Sequence, residues 1–156
     1  IKLKETDPVK TVYSLHRVNF YCGHKVRFGG WANEFRPRLF NKQETKWNNA
    51  LVHESLIIPS YGKNIKLRGE LNHYSYSSLD EHKQKLEKYS TLWADEAKKI
   101  GKKSTIIKQY FSPPFRFIIN YILKLGFLDG YYGFVIAWLN AKEVYLKYKK
   151  LSEIYK

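Results

Sequence analysis

The spacing of apolar positions changes along the chain, and each change marks a different kind of element. From Thr11 to Tyr21 the apolar residues are β-branched or aromatic (Val12, Tyr13, Val18, Phe20, Tyr21), which predicts a strand ended by Gly23. Arg38 to Phe40 reads as a short strand, Asn41 to Lys46 as a polar turn, and Trp47 to Val52 as the return, closing on His53-Glu54. Leu56-Ile57-Ile58 stops at Pro59. Between Ile65 and Tyr76 the pattern alternates: Ile65, Leu67, Gly69 and Leu71 share a face, and His73 has the same parity. Ile1 to Lys10, polar and interrupted by Pro8, reads as a linker or a cut edge.

The period then lengthens. Ser78 with Glu81 three residues on forms a capping box, which predicts a helix running to about Ile100. Leu79, Leu86, Tyr89, Trp93, Ala97 and Ile100 keep helical spacing, Glu81 and Lys85 pair along the helix, and Gly101 is a natural stop. Pro113-Pro114 predicts a break after Lys108. Phe115 to Asn140 is strongly apolar and aromatic, with a bend expected over Gly126 to Gly133. Lys124, Asp129 and three glycines interrupt it, so neither half approaches the roughly 20 apolar residues of a membrane span.

Composition changes this picture in two ways. A formal charge of +14 calls for an anionic partner: nucleic acid, an acidic membrane surface or substrate phosphates. Basic residues flank the apolar stretch (Lys108, Arg116, Lys142, Lys147, Lys149, Lys150), which suits two helices lying in the plane of an anionic bilayer and equally suits a hairpin buried on its own sheet. The aromatic share of 17% is high enough to supply a ligand or lipid interface as well as a core. Cys22 is the sole cysteine, which excludes a disulfide framework and a cysteine-based zinc site and makes a reduced, cytoplasm-facing location the default. The chain has no methionine and opens at Ile1, so it is expected to be part of a longer protein.

Candidate chemistry gathers at the strand ends. His53 and Glu54 place an imidazole and a carboxylate where a strand meets the sheet edge, groups able to move protons or bind metals. His73 reads as an inward residue, either a satisfied core histidine or a ligand. Gly29-Gly30 can form a plain turn or lie against a phosphate or sugar, with Trp31 able to stack on a ring. No P-loop, HExxH, GxSxG or CxxC motif occurs. A basic, aromatic-rich nucleic-acid module and a non-catalytic membrane-surface adaptor are the alternative classes.

Several stretches in sequence carry a family likeness: Asn19-Phe20-Tyr21-Cys22-Gly23, Gly29-Gly30-Trp31, Arg38-Leu39-Phe40-Asn41, Leu51-Val52-His53-Glu54, His73-Tyr74-Ser75-Tyr76, Glu81-His82, Lys88-Tyr89-Ser90 and Gly126-Phe127-Leu128-Asp129-Gly130, with Ala141 and Lys147-Tyr148. In their order and spacing they resemble the C-terminal half of a family 2 glycosyltransferase of the GT-A fold, in the subgroup that builds lipopolysaccharide core and other surface glycans. The resemblance implies a mixed α/β fold: the acceptor-side half of a GT-A-like domain over residues 1–107, with a few short strands and a long helix, then an amphipathic helical hairpin at the membrane surface over 108–156. It implies inverting transfer from a nucleotide-diphosphate sugar to a glycan or lipid-linked acceptor, with Glu54 as catalytic base. His73 would reach a divalent metal (Mg2+ or Mn2+) or the diphosphate, and Gly29, Gly30, Trp31, Arg36, Arg38 and His53 would border the substrates. Lys108, Arg116, Lys142 and Lys147 would meet lipid phosphates on the cytoplasmic face of the membrane, and no nucleic acid is expected. Nothing in the sequence matches that family's nucleotide-binding half or its Asp-x-Asp-type metal motif.

Overall fold

Strand β1, Thr11–Tyr21, is the strand on which the sheet is built in this computed structural model, which describes residues 11–43, 45–48, 56–58 and 63–155. Its bounds match the run of β-branched and aromatic residues. Val12, Tyr13, Ser14, Val18, Asn19 and Tyr21 are its buried positions. β1 pairs antiparallel with β2 (His24–Lys25) and β3 (Glu34–Leu39), and β6 (Lys63–Tyr76) also pairs with β1. A two-residue turn joins β1 to β2; Cys22 and Gly23 both have positive φ, 49° and 80°, as a type I′ hairpin demands. β4 (Lys46–Trp47) and β5 (Leu56–Ile57) form a separate antiparallel pair. Pro37 is tolerated because β3 pairs only with β1 among the described residues.

The described residues fall into two units, one drawing on 11–18 and 33–73, the other on 19–32 and 74–155. In the first unit β1 and β3 run from Tyr13 opposite Leu39 to Arg17 opposite Glu34, with a register shift between Tyr13 and Ser14. The Ser14 hydroxyl donates to Asn64 Oδ1 at 2.8 Å. On β6 the expected alternation holds in part: Leu67, Leu71 and His73 are half-buried while Arg68, Glu70 and Asn72 are exposed, but Ile65 and Gly69, expected on the same face, are exposed too.

The second unit is helical. α1 spans Leu79–Lys99. Ser78 caps it by accepting from the Glu81 N–H at 3.1 Å, and the Glu81 carboxylate accepts from the N–H and hydroxyl of Ser77, each at 2.7 Å. Gly101, at φ 70°, ends it; its N–H donates to Lys98 and the Lys102 N–H to Ala97. The buried stripe is His82, Leu86, Ser90, Ala94 and Ala97, whereas Tyr89 and Ile100, expected on the core face, are exposed. The reason is the partner: α1 packs against α3 (Gly130–Ile154), where the small Ala94 and Ala97 admit Leu151, fully buried between them. Burying such a leucine contributes about 1.5–3 kcal/mol. Trp93 and Tyr148 seal the contact edge to face at 5.4 Å.

α2 corrects the expected break. It runs from Ile106 to Ile118 straight through Pro113 and Pro114, capped by Thr105. Each proline removes an N–H and crowds the preceding turn. The helix continues because it packs along α3, and a π-helical turn at Ile119–Leu123 follows before the chain leaves the helix. A 3-10 turn, Gly126–Asp129, leads into α3. This is the bend expected over Gly126 to Gly133.

That elbow is held by close approach and one carboxylate. A Cβ on Gly133 would lie 1.9 Å from the Gly126 carbonyl oxygen, so only glycine fits. Asp129 is buried and accepts from the backbone N–H of Arg27, at 3.0 and 3.2 Å, and of Phe28 at 2.9 Å. Replacing Asp129 with alanine leaves two amides without their acceptor, each costing about 1–3 kcal/mol. Gly133→Ala forces a backbone shift costing about 1–3 kcal/mol or more. Urea unfolding should show both losses, while an exposed control such as Lys99→Ala stays within about 0.5 kcal/mol of the parent.

Candidate functional site

Glu54 and His53, the residues expected to carry proton transfer, lie outside the described residues. The remaining sheet-borne candidates lie on β3 and β6 of the first unit. Arg36 is exposed and forms an ion pair with Glu34, which also receives Arg17 from β1. Arg17 and Glu34 face each other across the β1–β3 ladder, so the pair is set by register. Arg38 is exposed, its guanidinium donating to the Pro37 carbonyl at 3.3 Å. His73 is half-buried at the end of the alternating face, as its parity predicts. On the same sheet, His16 Nδ1 lies 3.6 Å from Glu70 and its ring 5.3 Å from that of Phe35, over which Lys66 sits at 4.5 Å.

The glycine loop belongs to the second unit. Gly29–Trp31 forms a 3-10 turn that lies against the elbow. The Gly29 N–H donates to the Lys124 carbonyl at 2.8 Å, and a Cβ on Gly30 would come within 2.6 Å of Asn120 Oδ1. Gly29 is accounted for by its positive φ of 75°, and Gly30 by the Asn120 side chain packed against it. The Trp31 carbonyl accepts from Asn19 Nδ2 at 2.7 Å, and Asn19 Oδ1 accepts in turn from the Ser75 hydroxyl at 3.2 Å. The Asn19 side chain therefore ties the loop to β1 and β6.

The Trp31 ring enters a cluster that the sequence did not announce. Tyr21, Trp31, Tyr76 and His82 meet with centroids 4.1 to 5.8 Å apart, and Tyr76 stacks on the His82 imidazole at 4.1 Å. The Tyr21 hydroxyl and His82 Nδ1 are 2.9 Å apart. Burial pushes the His82 pKa down to about 4; the Glu143 carboxylate opposes this and nearby Lys85 reinforces it. Burial pushes the Tyr21 hydroxyl well up and Tyr76 up to about 12. At neutral pH the cluster therefore holds a neutral imidazole between un-ionised phenols. That suits it to rigidity rather than to proton transfer. Burial, then the Glu81 carboxylate, also raises the Cys22 thiol, which leaves it a poor nucleophile. The missed signal was spacing: His82 stands four residues before Leu86, on the buried stripe of α1.

The third set of candidates lies on α2 and α3. Lys108, Arg116 and Lys142 are exposed. Lys147 is not: its ammonium is held by Glu143 at 2.6 Å, 5.9 Å from the Trp93 ring centre, and its side chain is 15% exposed. Lys150 is spent inside the unit, donating to the Glu87 carboxylate and carbonyl, Ser90 and Thr91 at 2.8 to 2.9 Å. Around the exposed cations stands a broad apolar surface that includes Ile106, Ile107, Phe111, Phe115, Leu123 and Leu128. No single described helix is long and apolar enough to cross a membrane; Ile106–Leu123 and Gly126–Ile154, bent by 72° at their break, reach that composition only together. Among the described residues no group of three or more His, Cys, Asp or Glu side chains converges on a metal-sized site.

The histidine cluster generates a pH prediction. His82 has a lower pKa folded than unfolded, so below its ordinary value near 6.5 the unfolded chain binds a proton that the folded chain refuses. Its contribution is present above about pH 6.5 and is lost as the pH falls toward 4. Unfolding free energies from urea titrations across that window should fall by up to about 1.4 kcal/mol per pH unit, and His82→Phe should flatten the slope. An unchanged slope in the variant would assign the effect to other groups.

Against known proteins, no family model and no solved structure matches the sequence. Curated proteins do. The chain is 33% identical over 104 residues to a lipopolysaccharide core biosynthesis glycosyltransferase, LpsC, of Rhizobium meliloti, an alignment covering 62% of this chain and 38% of that protein. It is 24% and 23% identical over 166 residues to uncharacterized glycosyltransferases of Rickettsia typhi and Rickettsia prowazekii, covering 95% of this chain and 57% of each. The chain thus spans between about a third and somewhat over half the length of these curated relatives, all of which are named glycosyltransferases.

Proposed function

We propose that this chain forms the acceptor-side half of an inverting family 2 glycosyltransferase of the GT-A fold that acts in lipopolysaccharide or surface-polysaccharide synthesis. The observation that supports this most is that 95% of the chain aligns with proteins named glycosyltransferases. The order of the sequence motifs agrees with it. In this reading the donor is a nucleotide-diphosphate sugar and the acceptor a glycan or lipid-linked hydroxyl. The acceptor oxygen bonds to the anomeric carbon, the bond from that carbon to the diphosphate breaks, and the acceptor's proton passes to the Glu54 carboxylate. Arg36 and Arg38, exposed on β3, offer their guanidinium groups to anionic substrate groups, and His53 borders the substrates.

A divalent metal belongs to this proposal for the whole protein. The described residues do not build a site for one, and among them His73 is the ligand assigned in this reading. Localisation follows the same reasoning: the protein is peripheral on the cytoplasmic face, with α2 and α3 laid on anionic lipid and not crossing it. Lys108, Arg116 and Lys142 meet lipid phosphates, each contributing about 1 kcal/mol. Lys147, held by Glu143, is not available to the lipid.

Two experiments test these statements. In the complete protein, Glu54→Gln keeps the shape and removes the basicity, so sugar transfer should fall by about 10²–10⁴-fold. Transfer at the parental rate would end the assignment. For the membrane, co-sedimentation with vesicles containing phosphatidylglycerol should exceed that with phosphatidylcholine alone and weaken with salt, because exposed charges are screened over about 8 Å at physiological ionic strength. A residual apolar component should persist, since hydrocarbon burial is not screened in this way. Absence of binding to both vesicle types, with residues 106–154 resistant to protease in free solution, would sink the membrane placement.

A further inference from the structure

Between α2 and α3 lies a groove of about 420 Å³. It is lined by small or ring-closed residues, Pro113, Pro114 and Ala141, together with the aromatic Tyr110, Phe117 and Trp138. The volume falls within the roughly 300–1,000 Å³ of small-molecule sites, whose linings are mostly apolar with a few placed polar groups. Two of the lining residues are large aromatics left facing water: Tyr110 is 56% exposed and Trp138 58%. The prolines help to explain the hollow. They cost α2 backbone hydrogen bonds and give it short side chains where it faces α3.

Charge points to the occupant. Lys142 is the one charged residue in the lining, and it is exposed. It makes no ion pair among the described residues, whereas Glu143 next to it is already paired with Lys147. A trough of hydrocarbon-compatible walls with a single unspent cation is complementary to an amphiphile with an apolar tail and a negative head. The groove is also continuous with the exposed apolar surface of α2, including Ile118 in its own lining. We infer that the α2–α3 groove binds one hydrocarbon chain of an anionic membrane lipid, with Lys142 meeting the lipid's phosphate. This goes beyond general adhesion to a surface: it is a saturable site for one chain. It rests on the membrane reading only for the source of the ligand.

The test uses the full chain and alkyl phosphates of eight, ten and twelve carbons, each kept below its micelle concentration. Tryptophan fluorescence follows binding and native mass spectrometry counts the bound molecules. Dodecyl phosphate should bind saturably, one per chain, and affinity should fall about tenfold for every two methylenes removed. Tyr110→Lys, at an exposed wall position, should weaken dodecyl phosphate by roughly tenfold or more. Lys142→Glu should weaken dodecyl phosphate more than the uncharged dodecyl maltoside. Trp138→Lys serves as a second wall variant if circular dichroism shows that Tyr110→Lys has unfolded. Non-saturating uptake, or equal affinity in the wall variants and the parent, would overturn the site. Vesicle binding without alkyl phosphate binding would also overturn it while leaving the membrane placement standing. Saturable alkyl phosphate binding without vesicle binding would support the groove and remove the membrane placement.

Discussion

Two backbone amides, at Arg27 and Phe28, converge on the buried carboxylate of Asp129, and the helical unit depends on that contact. No ion pair to Asp129 accompanies it among the described residues, so main-chain N–H groups satisfy the carboxylate at ordinary hydrogen-bond distances of 2.9 to 3.2 Å. The position is unusual in local terms. Asp129 is the N-cap of α3, yet its side chain makes no bond to its own helix. The carboxylate serves a loop about a hundred residues earlier instead, and so converts a local helix start into a long-range anchor. The turn around it carries strain that glycine alone does not absorb: Leu125 adopts φ 57°, a left-handed conformation costing a β-carbon-bearing residue about 1–2 kcal/mol. Such a conformation persists where surrounding contacts determine it. Here the Gly29 N–H bond to the Lys124 carbonyl and the contact of Gly133 with Gly126 do so.

The motif Gly126-Phe127-Leu128-Asp129-Gly130 and the doublet Gly29-Gly30 are therefore two sides of one joint. From sequence they read separately, as a bend and as a possible ligand loop, because nothing local shows that they touch. Features whose causes are local were legible. β1 has the bounds its composition predicts, the capping box starts α1 and Gly101 stops it, and the parity of β6 places His73 on the half-buried face. Features whose causes are tertiary were not. Pro113 and Pro114 read as a break because their cost is intrinsic, while the support that keeps α2 helical comes from α3. Tyr89 and Ile100 fitted the apolar period of α1 but lost their place to His82 and Ser90, since the burying surface accepts small and polar residues there. Glu54, the residue on which the proposed chemistry turns, stands in a motif legible by resemblance and lies outside the described residues.

The basic charge also divides on inspection. A net +14 invites the idea of one cationic face, yet much of the basicity on α3 is consumed internally. Lys147 and Glu143 neutralise each other along the helix, and the three N–H groups of Lys150 are shared among four acceptors on α1. The latter is a charge-assisted clamp between two helices, so a charge count overstates the cations free to meet a partner. Lys108, Arg116 and Lys142, among the cations that remain outward, stand among exposed isoleucine, leucine and phenylalanine. Residues arranged in this way meet both parts of a lipid, since the ammonium or guanidinium takes the phosphate while the rings lie at the acyl boundary.

The same elements explain why the apolar surface stays exposed instead of folding inward. A hairpin of two regular helices would close along its length and bury most of its rings. The prolines of α2, the π-helical turn after it and the left-handed Leu125 each depart from a regular helix, and they follow one another over residues 113–125. Each departure costs stability. The elbow at Asp129 fixes their consequence, because it holds the start of α3 against the 27–30 loop and so limits how α2 can settle on α3. What remains is an incompletely closed seam walled by Tyr110, Phe117 and Trp138. Aromatic walls that face water forgo the dispersion contacts that an apolar ligand would supply. A seam kept open by backbone irregularities and lined with aromatic residues is better explained by an apolar ligand that completes it than by imperfect packing.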